Sequence, residues 1–79
     1  MKMGARIRFY KRTIERLDYI SMRAVISNSR LTSEEREAVT LADLEETPNK
    51  ISANMMGTTE RQFNRYLQSA RKKITKQLF

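Results

Sequence analysis

The fold of this chain is decided by residues 47–79, TPNKISANMMGTTERQFNRYLQSARKKITKQLF. Pro48 suits the first turn of a helix, where its missing N–H costs no hydrogen bond. Ala53 supplies a small side chain where two steeply crossing helices approach, and Gly57 allows the left-handed backbone that ends a helix and reverses the chain. The stretch therefore predicts a short helix over about 49–56, a tight turn and a longer helix, which is the plan of a helix-turn-helix.

The longer helix is predicted to begin at Thr59. Its hydroxyl can cap the first turn, and Gln62 three positions later completes the T-x-x-Q pattern of a capping box. Apolar residues then recur at steps of three and four, which puts them on one face of a helix that would turn toward the core. That face comprises Phe63, Tyr66, Leu67, Ala70, Ile74 and Leu78.

Polar side chains fall on the opposite face of this helix, and four of them, Arg61, Arg65, Gln68 and Lys72, form a row. Arg and Gln can each form two hydrogen bonds to the edge of one base, so such a row suits the major groove of DNA. Any amphipathic helix also has a solvated polar face. The small residue and the capped turn before the helix favour DNA over that alternative.

Short motifs in the second half of the chain add a family resemblance. They are Asp43-Leu44-Glu45, Met56-Gly57, Phe63, Arg65 through Leu67, and Ser69-Ala70-Arg71-Lys72-Lys73. With these motifs, the chain from Leu31 to its end resembles region four of bacterial primary sigma factors. It is more closely similar to a family of small bacterial and archaeal proteins that carry a sigma-region-four-like helix-turn-helix. In the sigma relatives the positions just after the turn contact bases, and the resemblance puts them here on Glu60, Arg61 and Arg65.

Two features depart from the family pattern. Many of the small relatives carry cysteines near the N-terminus, whereas this chain has none. Thr47-Pro48 replaces the glycine-containing approach to the helix before the turn. The first departure removes the metal site that the resemblance would otherwise imply, so we predict neither a metal nor another cofactor.

The composition indicates one small basic domain. The chain has 79 residues, no cysteine and a formal net charge of +7. At this size a folded chain removes only about 60% of its unfolded surface from water, so its stability is expected to be marginal. The absence of cysteine fits a reducing compartment, and no apolar run suggests a membrane segment or an export leader. We predict a single helix-turn-helix domain over 1–79, with a basic N-terminal helix in 1–30 and a sigma-region-four-like part in 31–79.

Charge is distributed unevenly along the chain. Residues 1–30 carry +6, residues 31–49 carry −5 and residues 50–79 carry +6. An excess of positive charge at both ends suits a polyanionic partner, and the acidic middle would face away from it or pair with basic residues of the first segment. Acids in the first turns of a helix also offset its dipole, and this explanation is preferred for Glu34, Glu35 and Glu37.

The first helix is predicted over residues 5–28. Its core-facing stripe would comprise Ile7, Tyr10, Ile14, Leu17, Ser21, Ala24 and Val25. Other apolar residues, Phe9, Tyr19, Ile20, Met22 and Ile26, fall elsewhere around the cylinder. A helix that is apolar on more than one side lies in a groove between other helices or meets a second copy of the chain, so a homodimer through this helix is one of the predicted partners.

The second helix is predicted to start at Thr32, within the capping pattern T-S-E-E, and to end near Glu46. Ala38, Leu41 and Ala42 would form its inner face. Thr47 would cap the third helix, which would bury Ala53 and Met56 against the helix after the turn. Ile51 and Met55 lie one turn apart on the other face of the third helix, where they are predicted to receive the N-terminal helix.

The sequence offers little for catalysis. It contains neither His nor Cys, and it has no glycine-rich phosphate loop and no Ser or Thr with a base at a recognisable spacing. The acids ring their helix instead of converging. We therefore predict that the protein is not an enzyme.

The combined prediction is an all-α domain of four helices, the last two forming a helix-turn-helix that binds double-stranded DNA in a sequence-selective way. Such a protein would be a small cytoplasmic, nucleoid-associated transcriptional regulator. One alternative is a sigma-like adaptor that binds RNA polymerase or another regulator, and another is a non-specific nucleic-acid-binding protein. The predicted base contacts are Glu60, Arg61, Arg65 and Gln68, and the predicted phosphate contacts are Lys50, Thr58, Thr59, Lys72, Lys73 and Lys76.

Overall fold

A computed structural model of the protein describes residues 18–78, apart from the side chain of Leu78. This part of the chain consists of helices and loops, without a strand. The helices are α1 (Tyr19–Asn28), α2 (Ser33–Val39), α3 (Asn49–Met55) and α4 (Glu60–Leu78), and a π-helical turn (Thr40–Leu44) continues α2. The predicted all-α class with four helices is confirmed.

The helix predicted over 5–28 is interrupted at Asp18, and its part over 5–17 lies outside the described residues. Asp18 has extended backbone angles and forms the N-cap of α1, with its side chain accepting a hydrogen bond from the Ser21 N–H at 2.7 Å. The same hydrogen bond lowers the pKa of the Asp18 carboxyl below its ordinary value. A continuous helix over 5–28 is therefore wrong at Asp18, because a capping carboxylate starts a new helix there.

The buried face of α1 also differs from the prediction. Met22 and Ile26, one turn apart, are buried, whereas Ala24 is exposed and Ser21 and Val25 are only half-buried. The large side chains at 22 and 26 remove more apolar surface from water than the small ones of the predicted stripe, and α1 presents them to α2 and the π-helical turn. The remaining predicted positions, Ile7, Phe9, Tyr10, Ile14 and Leu17, lie outside the described residues.

The start of α2 is the capping box that the sequence predicts. The Glu35 N–H donates to Thr32 Oγ1 at 3.2 Å, and the Thr32 N–H donates to Glu35 Oε1 at 2.8 Å. Each residue thus satisfies a backbone donor of the other, which fixes the first turn.

The end of this segment was not predicted in detail. The π-helical turn closes with the Glu45 N–H donating to the Thr40 carbonyl, and the Thr47 N–H then donates to the Leu41 carbonyl. Glu46 between them has φ 54°, in the left-handed region that favours glycine. The chain reverses here without a glycine.

Pro48 is the N-cap of α3 and lies outside its first turn, so the predicted cap at Thr47 is wrong by one residue. The ψ of Pro48 is 144°, which is extended, while its carbonyl already accepts the first helical hydrogen bond from Ser52. Thr47 contributes its own carbonyl, which accepts a hydrogen bond from Ser52 Oγ at 3.3 Å. Ser52 is completely buried, and its hydroxyl therefore has a partner.

The core lies where α4 crosses α2 and α3. Phe63, Ala70 and Ile74 of α4 are fully buried, as are Ala38 and Val39 of α2. The predicted inner face of α2 is confirmed for Ala38 and Leu41, and it includes Val39, which was not predicted. The rest of the buried apolar cluster comprises Met22, Ile26, Ala53 and Leu67, with Val25, Leu31, Ala42, Leu44, Met56 and Tyr66 packed against it.

Candidate functional site

The turn between α3 and α4 is closed by backbone hydrogen bonds. The Thr58 N–H donates to the Ala53 carbonyl at 2.9 Å, and the Gly57 N–H donates to the Asn54 carbonyl at 3.1 Å. Gly57 has φ 67°. This is a Schellman ending, in which a left-handed residue allows two otherwise unpaired carbonyls of the last helical turn to be satisfied. The predicted role of Gly57 is confirmed.

Thr59 caps α4 as predicted. Its Oγ1 accepts a hydrogen bond from the Gln62 N–H at 3.1 Å, and its carbonyl accepts one from the Phe63 N–H at 2.9 Å. The turn from α3 and the cap of α4 follow each other directly. The turn and the cap therefore fix the position at which α4 begins.

The polar row on α4 faces solvent. Arg61, Arg65, Gln68 and Lys72 are all exposed. At 3.6 residues per turn, positions spaced by four, seven and eleven residues lie within a narrow arc, and the row extends about 16 Å along the helix. We call these four residues the α4 stripe. Glu60, the remaining predicted base contact, is also exposed and lies at the start of the helix, beside the stripe.

The opposite face of α4 is the most buried surface of the described residues. Phe63, Ala70 and Ile74 are 0% exposed and Leu67 is 4% exposed. Because this face is held by α2 and α3, the orientation of α4 about its axis is fixed. The α4 stripe therefore points away from the core.

Most of the predicted phosphate contacts are accessible to solvent. Lys50 is exposed in the first turn of α3, Thr58 is half-buried in the turn, and Thr59 is exposed as the cap. Lys76 is exposed near the end of α4. Solvent-accessible residues of this set therefore lie on α3, in the turn before α4 and near the end of α4.

Lys73 differs from the other predicted contacts because it already has an anionic partner. Its ammonium donates to Glu35 Oε1 at 2.7 Å, and Ser69 Oγ donates to Glu35 Oε2. Burial raises the pKa of Glu35, but the hydrogen bonds from Lys73, Ser69 and Thr32 and the charge of Lys73 outweigh it and lower the pKa to about 2. Glu35 lies in the first turn of α2, as predicted, but its contacts with α4 were not predicted. It is a buried carboxylate that connects α2 to α4.

A second ion pair connects the π-helical turn after α2 to α4. Arg71 donates from Nη2 to Asp43 Oδ1 at 2.7 Å and from Nε to Asp43 Oδ2 at 3.1 Å, which is a two-point contact. The acidic middle segment was expected to face away or pair with the first segment. For Glu35 and Asp43 that expectation is wrong, since both pair with α4.

Asn49 and Asn64 form a contact that sequence analysis missed. Asn49 Nδ2 at the start of α3 donates to Asn64 Oδ1 of α4 at 3.3 Å, and both residues are exposed. Asn64 precedes Arg65 on the solvent side of α4. No local pattern pairs residues 15 apart, so only the packing of α3 on α4 could reveal it.

Two apolar side chains of α3 are exposed. Ile51 is 51% exposed and Met55 is 63% exposed. The sequence predicted that they receive the N-terminal helix, but α1 as described packs against α2 and the π-helical turn instead. For α1 that prediction is wrong, because Met22 and Ile26 direct this helix elsewhere, and the predicted segment 5–17 lies outside the described residues. The outer face of α3 also exposes Lys50, next to these apolar residues.

Within residues 18–78 no group of three carboxylates lies close enough to hold a metal ion. No helix in that range has both the length and the apolar character needed to span a membrane.

Comparison with curated proteins and with solved structures gave no match. One family model matches residues 3–79, nearly the full length. The chain therefore belongs to that family, which is described as protein of unknown function DUF134.

Proposed function

We propose that this protein binds double-stranded DNA in a sequence-selective way and acts as a small transcriptional regulator. In this proposal α3, the turn at Gly57 and α4 act as a helix-turn-helix related to region four of sigma factors. The role is binding, not catalysis.

The observation that carries the proposal is the exposed α4 stripe opposite a completely buried face. A single arginine or glutamine at the surface needs no functional explanation. Four polar side chains aligned on one rigid helix after a capped turn, however, suit the major groove of DNA. Phe63, Leu67 and Ile74 hold α4 against the core. The backbone of α4 is therefore already ordered and loses little conformational freedom when the stripe binds DNA.

The mechanism begins with α4 entering the major groove by its N-terminal end. Arg61 and Arg65 would donate paired hydrogen bonds to guanine, and Gln68 would pair with adenine. Glu60 would accept from the amino group of cytosine. Lys50, Thr58, Thr59, Lys72 and Lys76 would contact backbone phosphates, which set position without carrying sequence information. Lys73 is left out of this set because its ammonium bonds to Glu35.

Selection of binding sites from random duplex DNA tests the proposal. A recurring motif is expected, and a palindromic motif would also indicate a dimer. Gel shifts on the selected site with unrelated competitor DNA then measure selectivity. An Arg61→Ala, Arg65→Ala double variant should lose the selectivity, whereas Arg23→Ala, an exposed basic change on α1, should keep it. Enrichment of no motif, with equal competition by every DNA, would leave only non-specific nucleic-acid binding.

A second candidate is an adaptor that binds RNA polymerase or another regulator. The exposed Ile51 and Met55 favour it, since apolar side chains clustered on one face are typical of protein contacts. A pull-down with purified RNA polymerase tests this candidate. If the natural protein captures the polymerase and the Ile51→Ser, Met55→Ser double variant does not, the adaptor is supported. If neither the natural protein nor the variant captures the polymerase, and a DNA motif is selected, the adaptor is rejected.

A further inference from the structure

We propose that a basic hollow at the C-terminal end of α4, next to Lys72 at the end of the α4 stripe, binds a phosphate group. The hollow has a volume of about 440 Å³ and lies where the end of α1 meets the last turns of α4. It is lined by Asn28, Arg30, Lys73, Lys76 and Gln77. Arg30 belongs to the loop after α1 and was not among the residues that the sequence suggested.

The charge of the hollow is unbalanced. None of its described lining residues is acidic, and three are cationic. Glu35 compensates Lys73, but within residues 18–78 neither Arg30 nor Lys76 has an ion-pair partner. Two cations that lie close together in one shallow hollow attract an anion more strongly than either cation does alone.

The helix ends at the hollow do not account for these charges by themselves. Lys76 in the last turn of α4 does offset that helix's dipole. At the end of α1, however, the Asn28 carbonyl accepts a hydrogen bond from Gln77 Nε2 at 3.2 Å. A neutral amide, not a cation, therefore satisfies this carbonyl. Arg30 lies outside any helix and has no such role. Its charge is therefore available to a ligand.

The donors present suit phosphate. An arginine presents a planar pair of N–H groups that fits two phosphate oxygens, and a lysine adds a point charge. The hydrogen bond between Gln77 and Asn28 connects the two helices, which keeps the loop of Arg30 near Lys76. A phosphate in the hollow would thus bridge α4 to the loop between α1 and α2.

The phosphate has two chemical sources, a free phosphate compound or the backbone of a DNA duplex. Lys76 follows Arg61 by 15 positions, or about 22 Å along the helix. Since the major groove is only about 12 Å wide, a backbone phosphate in the hollow would lie beyond the bases that Arg61 contacts. DNA would therefore reach the hollow, including its Lys76, through a phosphate that flanks the bases contacted by Arg61.

The first probe is inorganic pyrophosphate, and its binding to the full chain is monitored by NMR chemical shifts. Saturable shifts are expected at Arg30, Lys76 and Gln77. Arg30→Gln should weaken binding about tenfold, the factor that a charge-assisted hydrogen bond contributes. Arg23→Gln, an equal change of charge outside the hollow, is the matched control and should leave binding unchanged. Absence of saturable shifts, or an equal loss in both variants, would overturn the proposal.

The second probe is duplex DNA, and this part alone rests on the proposed function. The salt dependence of binding is measured on the selected site, trimmed at its ends or extended by about one helical turn. If the source is DNA, Arg30→Gln makes the slope of log affinity against log salt shallower by about one unit on the extended duplex only. If pyrophosphate binding is lost in Arg30→Gln while both slopes are unchanged, the hollow binds a free phosphate compound. If the protein binds no DNA, the pyrophosphate result still decides the proposal.

Discussion

Glu35 of α2 and Lys73 of α4, 38 residues apart in sequence, lie 2.7 Å apart between carboxylate and ammonium. The Glu35 side chain is 6% exposed and the Lys73 side chain 45% exposed, so the carboxylate is held inside while the lysine stem covers it. Together with Asp43 and Arg71, this pair joins α2 and its π-helical turn to α4 by charge. The same α4 carries the exposed stripe on its other side.

The first prediction concerns acid stability. The pKa of Glu35 is about 2 in the folded protein and is near its ordinary value of 4.5 when unfolded. A lowered folded pKa stabilises the protein above the unfolded pKa, and this contribution is lost as pH falls from about 4.5 to about 2. The loss should be on the order of 2–3 kcal/mol after allowing for the solvent exposure of Lys73. Urea denaturation at pH 7, 4 and 2.5 measures it.

Glu35→Gln is the control for this prediction. The variant should be less stable than the natural protein at pH 7, because Lys73 loses its anionic partner. Its stability should then change less between pH 5 and pH 2.5, because the group that titrates is gone. An equally steep acid loss in both proteins would assign acid sensitivity to other carboxylates.

The α4 helix was predictable because its determinants are local. Phe63, Leu67 and Ile74 repeat at helical spacing on one face only, and Thr59 caps the start. The first helix was not predictable in the same way. Apolar residues surround it, so spacing alone could not select Met22 and Ile26 as the buried pair.

Long-range contacts account for the rest of what the sequence did not predict. The capping pattern distinguishes Glu35 from Glu34 and Glu37 only as the partner of Thr32, yet Glu35 is also buried while the other two are exposed. Which acid meets Lys73 depends on how α2 lies across α4, and no local pattern contains that information. The same reasoning applies to Asp43 with Arg71 and to the hollow at Arg30.

The second prediction compares two residues in the left-handed region. Gly57 has φ 67° and Glu46 has φ 54°. A Cβ on Gly57 would meet nothing within 4 Å, so Gly57→Ala should cost only the backbone penalty, about 1 kcal/mol. Glu46→Gly should stabilise the protein by up to about 1 kcal/mol, since relief of that penalty exceeds the entropy cost of glycine. Urea midpoints check both, and a destabilised Glu46→Gly variant would show that the Glu46 side chain contributes more than its backbone costs.

The third prediction separates two adjacent lysines. Lys73→Ala leaves the buried Glu35 without its cation and should destabilise the fold by about 1–3 kcal/mol. Lys72→Ala changes an exposed residue of the α4 stripe and should alter stability by no more than about 0.5 kcal/mol. For DNA binding, the larger effect is expected from Lys72→Ala, because Lys72 is the proposed phosphate contact. Its removal should make the salt slope shallower by about one unit. Anisotropy titrations at several salt concentrations, run where both variants are folded, measure the slopes, and a shallower slope for Lys73→Ala alone would contradict the assignment.

The last prediction tests whether the α4 stripe distinguishes one DNA sequence from another. Arg61 lies in the first turn of α4 and Arg65 one turn later, where a helix that enters the groove by its N-terminal end brings side chains to bases. Arg61→Ala or Arg65→Ala should therefore cost about 1–3 kcal/mol on the selected site and much less on random DNA. Both residues are exposed and outside the core, so the fold should be unchanged, and circular dichroism verifies this. The measured quantity is the ratio of affinities for selected and random DNA. If each arginine variant lowers both affinities by the same factor, the stripe acts only through its charge, and the protein binds nucleic acid without distinguishing its sequence.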